Sequence, residues 1–467
     1  MSEVAKSSGF EPRITAFVCK WCTYAGADLA GTSRMTYAPN VRVLMVPCTG
    51  RIDVSFVIRA FLQGADGVIV SGCHPGDCHY TAGNYRARRR WILFRDLLDT
   101  LGFDLRRFEL AWISAAEGAK WVKTIQAFTD RLRDLGPYTA LHHLAEDRAP
   151  AIAPRAGTDV LVDLATAEPE AAAVDPQLVA AVAEALEAGT LKAVVGWTKS
   201  PTLNRPRPAW FVTAAAAKGM VSPNGNGNLV RLLKKRELRA LLPLGLVARA
   251  CEVAALNVLA QEASIDLSAL TVFAVDRNGR YLGVVGQALR PAPIPTSGLP
   301  STDISANQSG SPTVLLVDRP ANRPVGFSDE TLKALDQLMA KSPKERWTFW
   351  EAQSAKCLRC YACRGSCPLC TCDQCIMDKN QPQWFPSAAD GPGNFAWQMV
   401  RAFHLAGRCV GCGACHNACP AGVPLNLLNA AMARSTLKHF GHLAGIDPKA
   451  VPLQSDFRTD DKEDFIL

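Results

Sequence analysis

ITAFVC (residues 14–19), VRVLMVPC (41–48) and GVIVSGC (67–73) decide the reading of the fold. Each is a short apolar run ending on a cysteine, and LAWIS (110–114) is a fourth run without one. Between them, residues 53–63, 81–101 and 115–134 have helical length and spacing. Phe56, Val57, Ala60 and Phe61 make the apolar stripe of the first. Trp91, Phe94, Leu97, Leu98 and Leu101 make that of the second. Strands alternating with helices predict a parallel sheet covered on both faces. Such sheets gather ligands at the carboxyl ends of their strands, where Cys19, Cys48 and Cys73 fall. Cys22 lies just beyond Cys19, and Cys78 just beyond Cys73 in GCHPGDCHY. Five thiols can therefore converge on one crevice; four suffice for an iron–sulfur cluster, which leaves one spare. Gly50, Gly72 and Gly76 allow close backbone approach. His74 and His79 flank the thiols, although solvated loop histidines are the commoner case.

A catalytic Cys78–His79 pair is the competing chemistry. Adjacent loop residues rarely face each other, and four neighbouring thiols favour metal. No G-x-G-x-x-G, P-loop, H-E-x-x-H or G-x-S-x-G pattern is present. The run Arg86, Arg88, Arg89 and Arg90 reads as a solvated helix face or a docking surface for an acidic partner. It lacks the aromatic interleaving of RNA binding, so no nucleic-acid partner is expected. The net charge of +8 over 467 residues agrees with that.

The length suggests roughly three domains. After a break at 147–157, a second α/β unit is expected, with helices at 175–188 and 228–240 and strands at 191–197, 209–213, 244–248 and 271–275. Residues 286–312, rich in Pro, Ser and Gly, read as a surface loop of that unit. A strand at 314–317 then returns to the unit and a helix follows at 329–341. No apolar run approaches the ~18 residues of a membrane span. The opening MSEVAKSSGFEPR has no apolar signal core. A cytoplasmic protein without membrane insertion is the expectation. An odd total of 17 cysteines then argues against disulfides and for bound metal.

Eleven of the 17 lie between Cys357 and Cys419. Cys357-x2-Cys360-x2-Cys363-x3-Cys367-Pro368 and Cys409-x2-Cys412-x2-Cys415-x3-Cys419-Pro420 share the spacing of two-cluster bacterial ferredoxins. In that pattern each run lends its fourth cysteine to the other. Cys357, Cys360, Cys363 and Cys419 would hold one 4Fe-4S cluster, and Cys409, Cys412, Cys415 and Cys367 the second. Structural zinc usually uses paired C-x2-C units, and two copies of a four-cysteine run with proline argue against it. Cys370, Cys372 and Cys375 follow at once. They are packing thiols, a spare zinc corner, or a third 4Fe-4S site completed by Cys251, which follows the strand-like LLPLGLVAR.

The expected fold class is α/β: two small parallel-sheet α/β units plus a bacterial-type dicluster ferredoxin (α+β) module. The divisions are 1–150, 151–344 and 345–440, with a peripheral acidic tail at 441–467.

FVCKWCTYAGADLAGTSR, MVPCTGRID and GCHPGDCHYTAGN, between residues 17 and 84, resemble the delta subunit of methyl-viologen-reducing hydrogenase. That family links hydrogenases or formate dehydrogenases to heterodisulfide reductase. The resemblance covers about residues 12–140 and implies a 2Fe-2S cluster on four of Cys19, Cys22, Cys48, Cys73 and Cys78. WTKSPTLNRPRPAWFVT, NLVRLLKKR, LLPLGLVARACEVAALNVL, CLRCYACRGSCPLCTCDQC and FHLAGRCVGCGACHNACP are similar to the iron–sulfur beta subunits of formate dehydrogenase and deazaflavin-reducing hydrogenase. Those relatives often carry aspartate after the cysteine at the Cys251 position and a second cysteine after the next strand. Here Glu252 follows, and residues 271–280 have no cysteine. Some beta subunits bind FAD, but no flavin motif is legible in this chain.

The expected function is a multi-cluster electron-transfer subunit of a redox complex, rather than a complete enzyme. Its implied partner is a flavin-containing, heterodisulfide-reductase-A-like subunit. One alternative is an FAD-binding oxidoreductase that reduces a nicotinamide or deazaflavin coenzyme. Another is a zinc-bearing assembly scaffold.

Overall fold

The computed structural model describes residues 9–141, 172–202, 205–222, 227–276, 279–285, 304–305, 316–317, 326–379, 381–447 and 449–467. The first unit runs β1 (Ile14–Cys19), α1 (Thr23–Thr32), β2 (Val41–Val46), α2 (Val54–Leu62), β3 (Gly67–Gly72), α3 (Gly83–Leu101), β4 (Phe108–Trp112) and α4 (Gly118–Leu135). Its four strands are all parallel, in the order β2-β1-β3-β4, as the alternating pattern predicts. β3 is buried along its whole length. Helix α1 has no counterpart in the sequence reading because its residues make no clear apolar stripe. It packs through small residues instead: a Cβ on Gly26 would sit 2.6 Å from the Ser114 carbonyl oxygen, and one on Gly118 3.1 Å from the Ala30 nitrogen.

The second unit contains α5 (Pro176–Glu187), β5 (Ala193–Lys199), β6 (Pro206–Phe211), β7 (Leu244–Ala248), α6 (Ala250–Gln261), β8 (Leu270–Val275) and β9 (Tyr281–Val285). The sheet order is β6-β5-β7-β8-β9. It corrects the expectation of a second parallel sheet, because both edge strands run antiparallel to their neighbours. The physical reason is loop length. Residues 200–205 and 276–280 are too short for the crossover that a parallel pair needs, and hairpins form. Residues 228–240 are also not one helix: a 3-10 segment (Leu229–Lys234) precedes a short helix (Arg236–Arg239). The expected loop at 286–312 lies outside the described residues except for Ile304–Ser305, which pairs antiparallel with Leu316–Val317. The latter strand lies beside α6.

The last region carries α7 (Asp329–Met339), α8 (Pro343–Ala355), α9 (Gly391–His404) and α10 (Leu425–Phe440). Ser342 and Glu345 close a capping box at the start of α8, with Pro343 in the first turn. Residues 345–440 consist of helices and cysteine-bearing loops, with no strand among the described residues, where an α+β arrangement was expected.

This region shares one apolar core with the first unit. Phe94 of α3 meets Phe403 of α9 edge to face at 6.1 Å, and Phe56 of α2 stacks on Trp384 at 5.1 Å. Arg346 bonds the Asp99 carboxylate at 2.8 Å. On the other side, Arg408 pairs with Glu262, and Asn257 Nδ2 donates to the Gly445 carbonyl at 2.8 Å.

The acidic tail is not peripheral. Trp112 N donates to Leu467 O and Leu467 N to Leu110 O, both at 2.9 Å, so the chain pairs with the outer edge of β4. Arg88 and Arg89 are buried rather than solvated. Arg88 bonds Glu463 at 3.1 Å, and Arg89 bonds Asp461 at 2.6 Å and Asp456 at 3.3 Å. Arg90 donates to the carbonyls of Gly50 and Ile52. The basic run thus meets an acidic partner within its own chain.

Candidate metal centres

All five thiols of the first unit sit at the carboxyl edge of its sheet. Cys19 ends β1, Cys73 follows β3, and Cys48 begins the turn after β2. Asn84, fully buried, donates to the carbonyls of Cys73 (3.1 Å) and His74 (2.7 Å) and pins the third loop. Gly83, one residue earlier, lets α3 start against the sulfurs. A Cβ there would collide with Cys48 Sγ and lie 3.1 Å from Cys78 Sγ.

Cys19 Sγ lies 3.8 Å from Cys73 Sγ, and Cys48 Sγ lies 3.6 Å from Cys78 Sγ. Two thiolates on one tetrahedral metal, each at about 2.3 Å, sit about 3.8 Å apart. Each pair therefore has the spacing of one metal's sulfur edge. Cys22 stays within 4.8 Å of Cys19 and Cys73. Hydrogen bonding from Cys73 lowers the Cys19 thiol to about 6 against its burial. The same contact, joined by burial, pushes Cys73 far up. Burial pushes Cys48 up to about 11 and also raises Cys22. Gly50 N–H donates to Cys48 Sγ at 3.4 Å. His74 pairs with Glu117 at 2.7 Å and His79 stacks on Trp21 at 3.9 Å, so both flanking histidines are engaged outside the thiol cluster.

The two four-cysteine runs are conformational copies. Arg359 (φ 55°) and Tyr361 (φ 60°) flank Cys360, as Gly411 (φ 66°) and Gly413 (φ 69°) flank Cys412. Holding non-glycine residues in the left-handed region costs energy and marks a loop fixed by its surroundings. Backbone N–H groups of Arg359, Gly411 and Ala414 lie on the side of Cys357, Cys409 and Cys412 and work against the upward shift that burial gives those thiols. Asn429 Nδ2 reaches Cys415 Sγ at 3.4 Å and Gln398 Nε2 reaches Cys357 Sγ at 3.6 Å. Electrostatic neighbours cross between the runs. Burial pushes Cys409 up to about 12, with the charges of Cys415 and Cys367 adding to it. Burial also raises Cys357, with Cys419 adding.

Cys370, Cys372 and Cys375 line one small cavity of about 50 Å³ with Arg401, His404 and Arg408. A hydrogen bond with Cys367 lowers the Cys370 thiol to about 7. Cys251 does not line that cavity among the described residues. Burial and the Glu252 carboxylate push its thiol well up, and Cys412 is the thiol whose charge adds to the effect. Cys370, Cys372 and Cys375 thus share one cavity, and Cys251 has Cys412 among its electrostatic neighbours.

Sequence reasoning passed over Gly83, Asn84 and Arg401. Gly83 and Asn84 stand in HYTAGN, where a glycine–asparagine pair opening a helix is a legible signal. Arg401 carries none, since a single arginine in an apolar helix looks like a solvent-facing residue.

The family model described as methyl-viologen-reducing hydrogenase, delta subunit, matches residues 14–136. The iron-sulfur D-subunit of the vhc F420-non-reducing hydrogenase of Methanococcus voltae is 49% identical over 133 residues, 28% of this chain and 92% of that protein. The chain belongs to the methyl-viologen-reducing hydrogenase delta-subunit family. Within the same family, the iron-sulfur D-subunit of the F420-non-reducing hydrogenase of Archaeoglobus profundus is 48% identical over 132 residues, 28% of this chain and 96% of that protein. The delta-subunit region also resembles part of a longer protein, the A-subunit of the ferredoxin/F(420)H(2)-dependent CoB-CoM heterodisulfide reductase of Methanosarcina acetivorans. It is 44% identical over 126 residues, 27% of this chain and 16% of that protein. These relatives support a redox electron-transfer role. No helix among the described residues is long and apolar enough to cross a membrane.

Proposed function

We propose that the chain is an iron–sulfur electron-transfer subunit of a cytoplasmic redox complex. It relays electrons between two 4Fe-4S clusters in residues 345–440 and a 2Fe-2S cluster in the delta-subunit unit. A flavin-containing, heterodisulfide-reductase-A-like subunit is the onward partner. The observation that carries this reading is the pairing of Cys19 with Cys73 and of Cys48 with Cys78 at the edge length of a tetrahedral metal. Two such edges at one end of the sheet would supply the four donors of a two-iron cluster, with Cys22 then the spare thiol. The relatives add to it. The delta-subunit region stands as a separate hydrogenase subunit in one organism and within a much longer heterodisulfide reductase subunit in another.

When bound, clusters of this class pass single electrons. The chain's own residues fix the conditions. Gly50 N–H aims at Cys48 Sγ, and the N–H groups of Arg359, Gly411 and Ala414 favour added negative charge at the neighbouring sulfurs. Gly83 and Asn84 hold the loop of Cys73 and Cys78 against the start of α3. The shared core of the first unit and residues 345–440 keeps the two ends of the relay packed together, as tunnelling requires.

Metal and acid-labile sulfide analysis with EPR of the dithionite-reduced chain tests the reading. About ten irons are expected from one two-iron and two four-iron sites, or about fourteen if Cys370, Cys372, Cys375 and Cys251 hold a third cubane. A colourless protein with zinc and no sulfide would overturn it in favour of a scaffold. Flavin absorbance that survives iron chelation would favour the FAD-binding oxidoreductase.

A further inference from the structure

We propose that Arg401 is a fixed counter-charge shared by both cysteine runs, raising the reduction potentials of the clusters they hold. This rests on the iron–sulfur reading above and goes beyond it by naming a residue that binds no iron and sets redox behaviour. Arg401 lies in the last turn of α9 and is 6% exposed. Its Nη2 donates to the Cys363 carbonyl at 3.3 Å, and its Nε has no hydrogen-bond partner among the described residues. Among the other deeply buried arginines, Arg88, Arg89 and Arg346 each meet a carboxylate, whereas Arg107 and Arg359 donate to backbone carbonyls. Among the described residues no carboxylate pairs with Arg401.

Sulfur takes the carboxylate's place. Arg401 lies within electrostatic range of the sulfurs of Cys415, Cys367, Cys370 and Cys363, and it lines one cavity with Cys370, Cys372 and Cys375. Those sulfurs come from both runs and from the Cys370 loop. A buried cation without compensation is strongly unfavourable, and neutral thiols supply little. Thiolates held as ligands of an anionic cluster supply the missing charge, so the guanidinium and the clusters account for each other.

The redox consequence follows from charge balance. Each cluster accepts one electron from a reduced one-electron carrier, which is oxidised by one; no bond forms or breaks and no proton moves. The cluster gains one unit of negative charge. A fixed cation at short range stabilises the reduced form more than the oxidised form. Arg401 bonds the Cys363 carbonyl and lies within electrostatic range of Cys367 and Cys415, so it acts on both clusters. Because it is buried, dissolved salt screens it little.

EPR-monitored redox titration of the intact, iron-loaded chain tests this with Arg401→Gln and Arg401→Lys. The glutamine variant is expected to shift both midpoint potentials negative, and the lysine variant to restore them toward the parent values. The parent's potentials are expected to hold from low to high salt. Unchanged potentials in an iron-loaded Arg401→Gln variant would overturn the proposal. If the glutamine variant fails to load iron, the lysine variant decides. Loading with parent-like potentials upholds the need for charge, whereas equal failure shows that shape alone is required and overturns it. A parent chain without iron or sulfide would defeat the iron–sulfur reading itself, which is a distinct outcome.

Discussion

Arg89 Nε donates to Asp461 Oδ2 at 2.6 Å across 372 positions of sequence, and the two side chains are 3% and 4% exposed. A sealed ion pair of this kind is costly to break from one side, because the surviving charge stays buried. Replacing both partners by apolar groups costs far less. Asp461→Ala is therefore expected to destabilise the docked tail by about 3 kcal/mol, moderated by Asp456. The measurement is hydrogen exchange at Leu110 and Trp112, whose pairing with Leu467 should open. Arg89→Met combined with Asp461→Leu should recover most of the protection.

In the delta-subunit unit, Cys22→Ser should keep the two-iron EPR signal, whereas Cys48→Ser or Cys78→Ser should lose it along with about two irons per chain. Gly83→Ala should behave like the ligand variants, because its methyl would occupy the space of Cys48 Sγ. A lost signal in Cys22→Ser, with Cys19→Ser unaffected, would exchange the roles of those two thiols.

Cys419→Ser should disturb the cluster built on Cys357, Cys360 and Cys363 and spare the one on its own run. The ferredoxin spacing and the charge of Cys419 acting on Cys357 both point that way. Selective loss of one cubane's EPR signature, read against Cys357→Ser as a reference, distinguishes the two sites.

Asp53 links the units: its carboxylate accepts from Ser55 N at 2.9 Å, capping α2, and pairs with His404 at 3.2 Å. Burial disfavours its charge, but His404 and the Ser55 N–H outweigh burial and hold the carboxyl well below the usual carboxylate range. A depressed folded value means stabilisation that is full above the ordinary value of about 4 and lost as pH falls through the folded one. Asp53→Asn retains a capping oxygen and deletes this contribution. It should lower stability by about 1–2 kcal/mol at pH 7. The gap to the parent should close progressively below about pH 4, as measured by urea unfolding of the two proteins at matched iron content.

The first sheet was legible because its information is local. Apolar runs at strand length ending on Cys19, Cys48 and Cys73 leave little freedom in where those thiols go. What the five thiols do to one another is not local: the division into pairs depends on how closely α3 approaches at Gly83. Strand direction at β6 and β9 is likewise absent from apolar pattern, since PRPAWF and YLGVV read the same either way round. Arg88 and Arg89 looked like a wet helix face because their carboxylates lie some 370 residues away. Arg401 looked ordinary because the charges opposing it are sulfurs, whose charge depends on what they hold.

The docked tail also imposes an order in time. Asp461 and Glu463 leave the ribosome more than 370 residues after Arg88 and Arg89, long after the first sheet can fold. During that interval the arginines remain hydrated and the outer edge of β4 stays bare, a ready template for another strand. On the iron–sulfur reading, iron would reach Cys19, Cys48, Cys73 and Cys78 before residues 461–467 dock on the first unit.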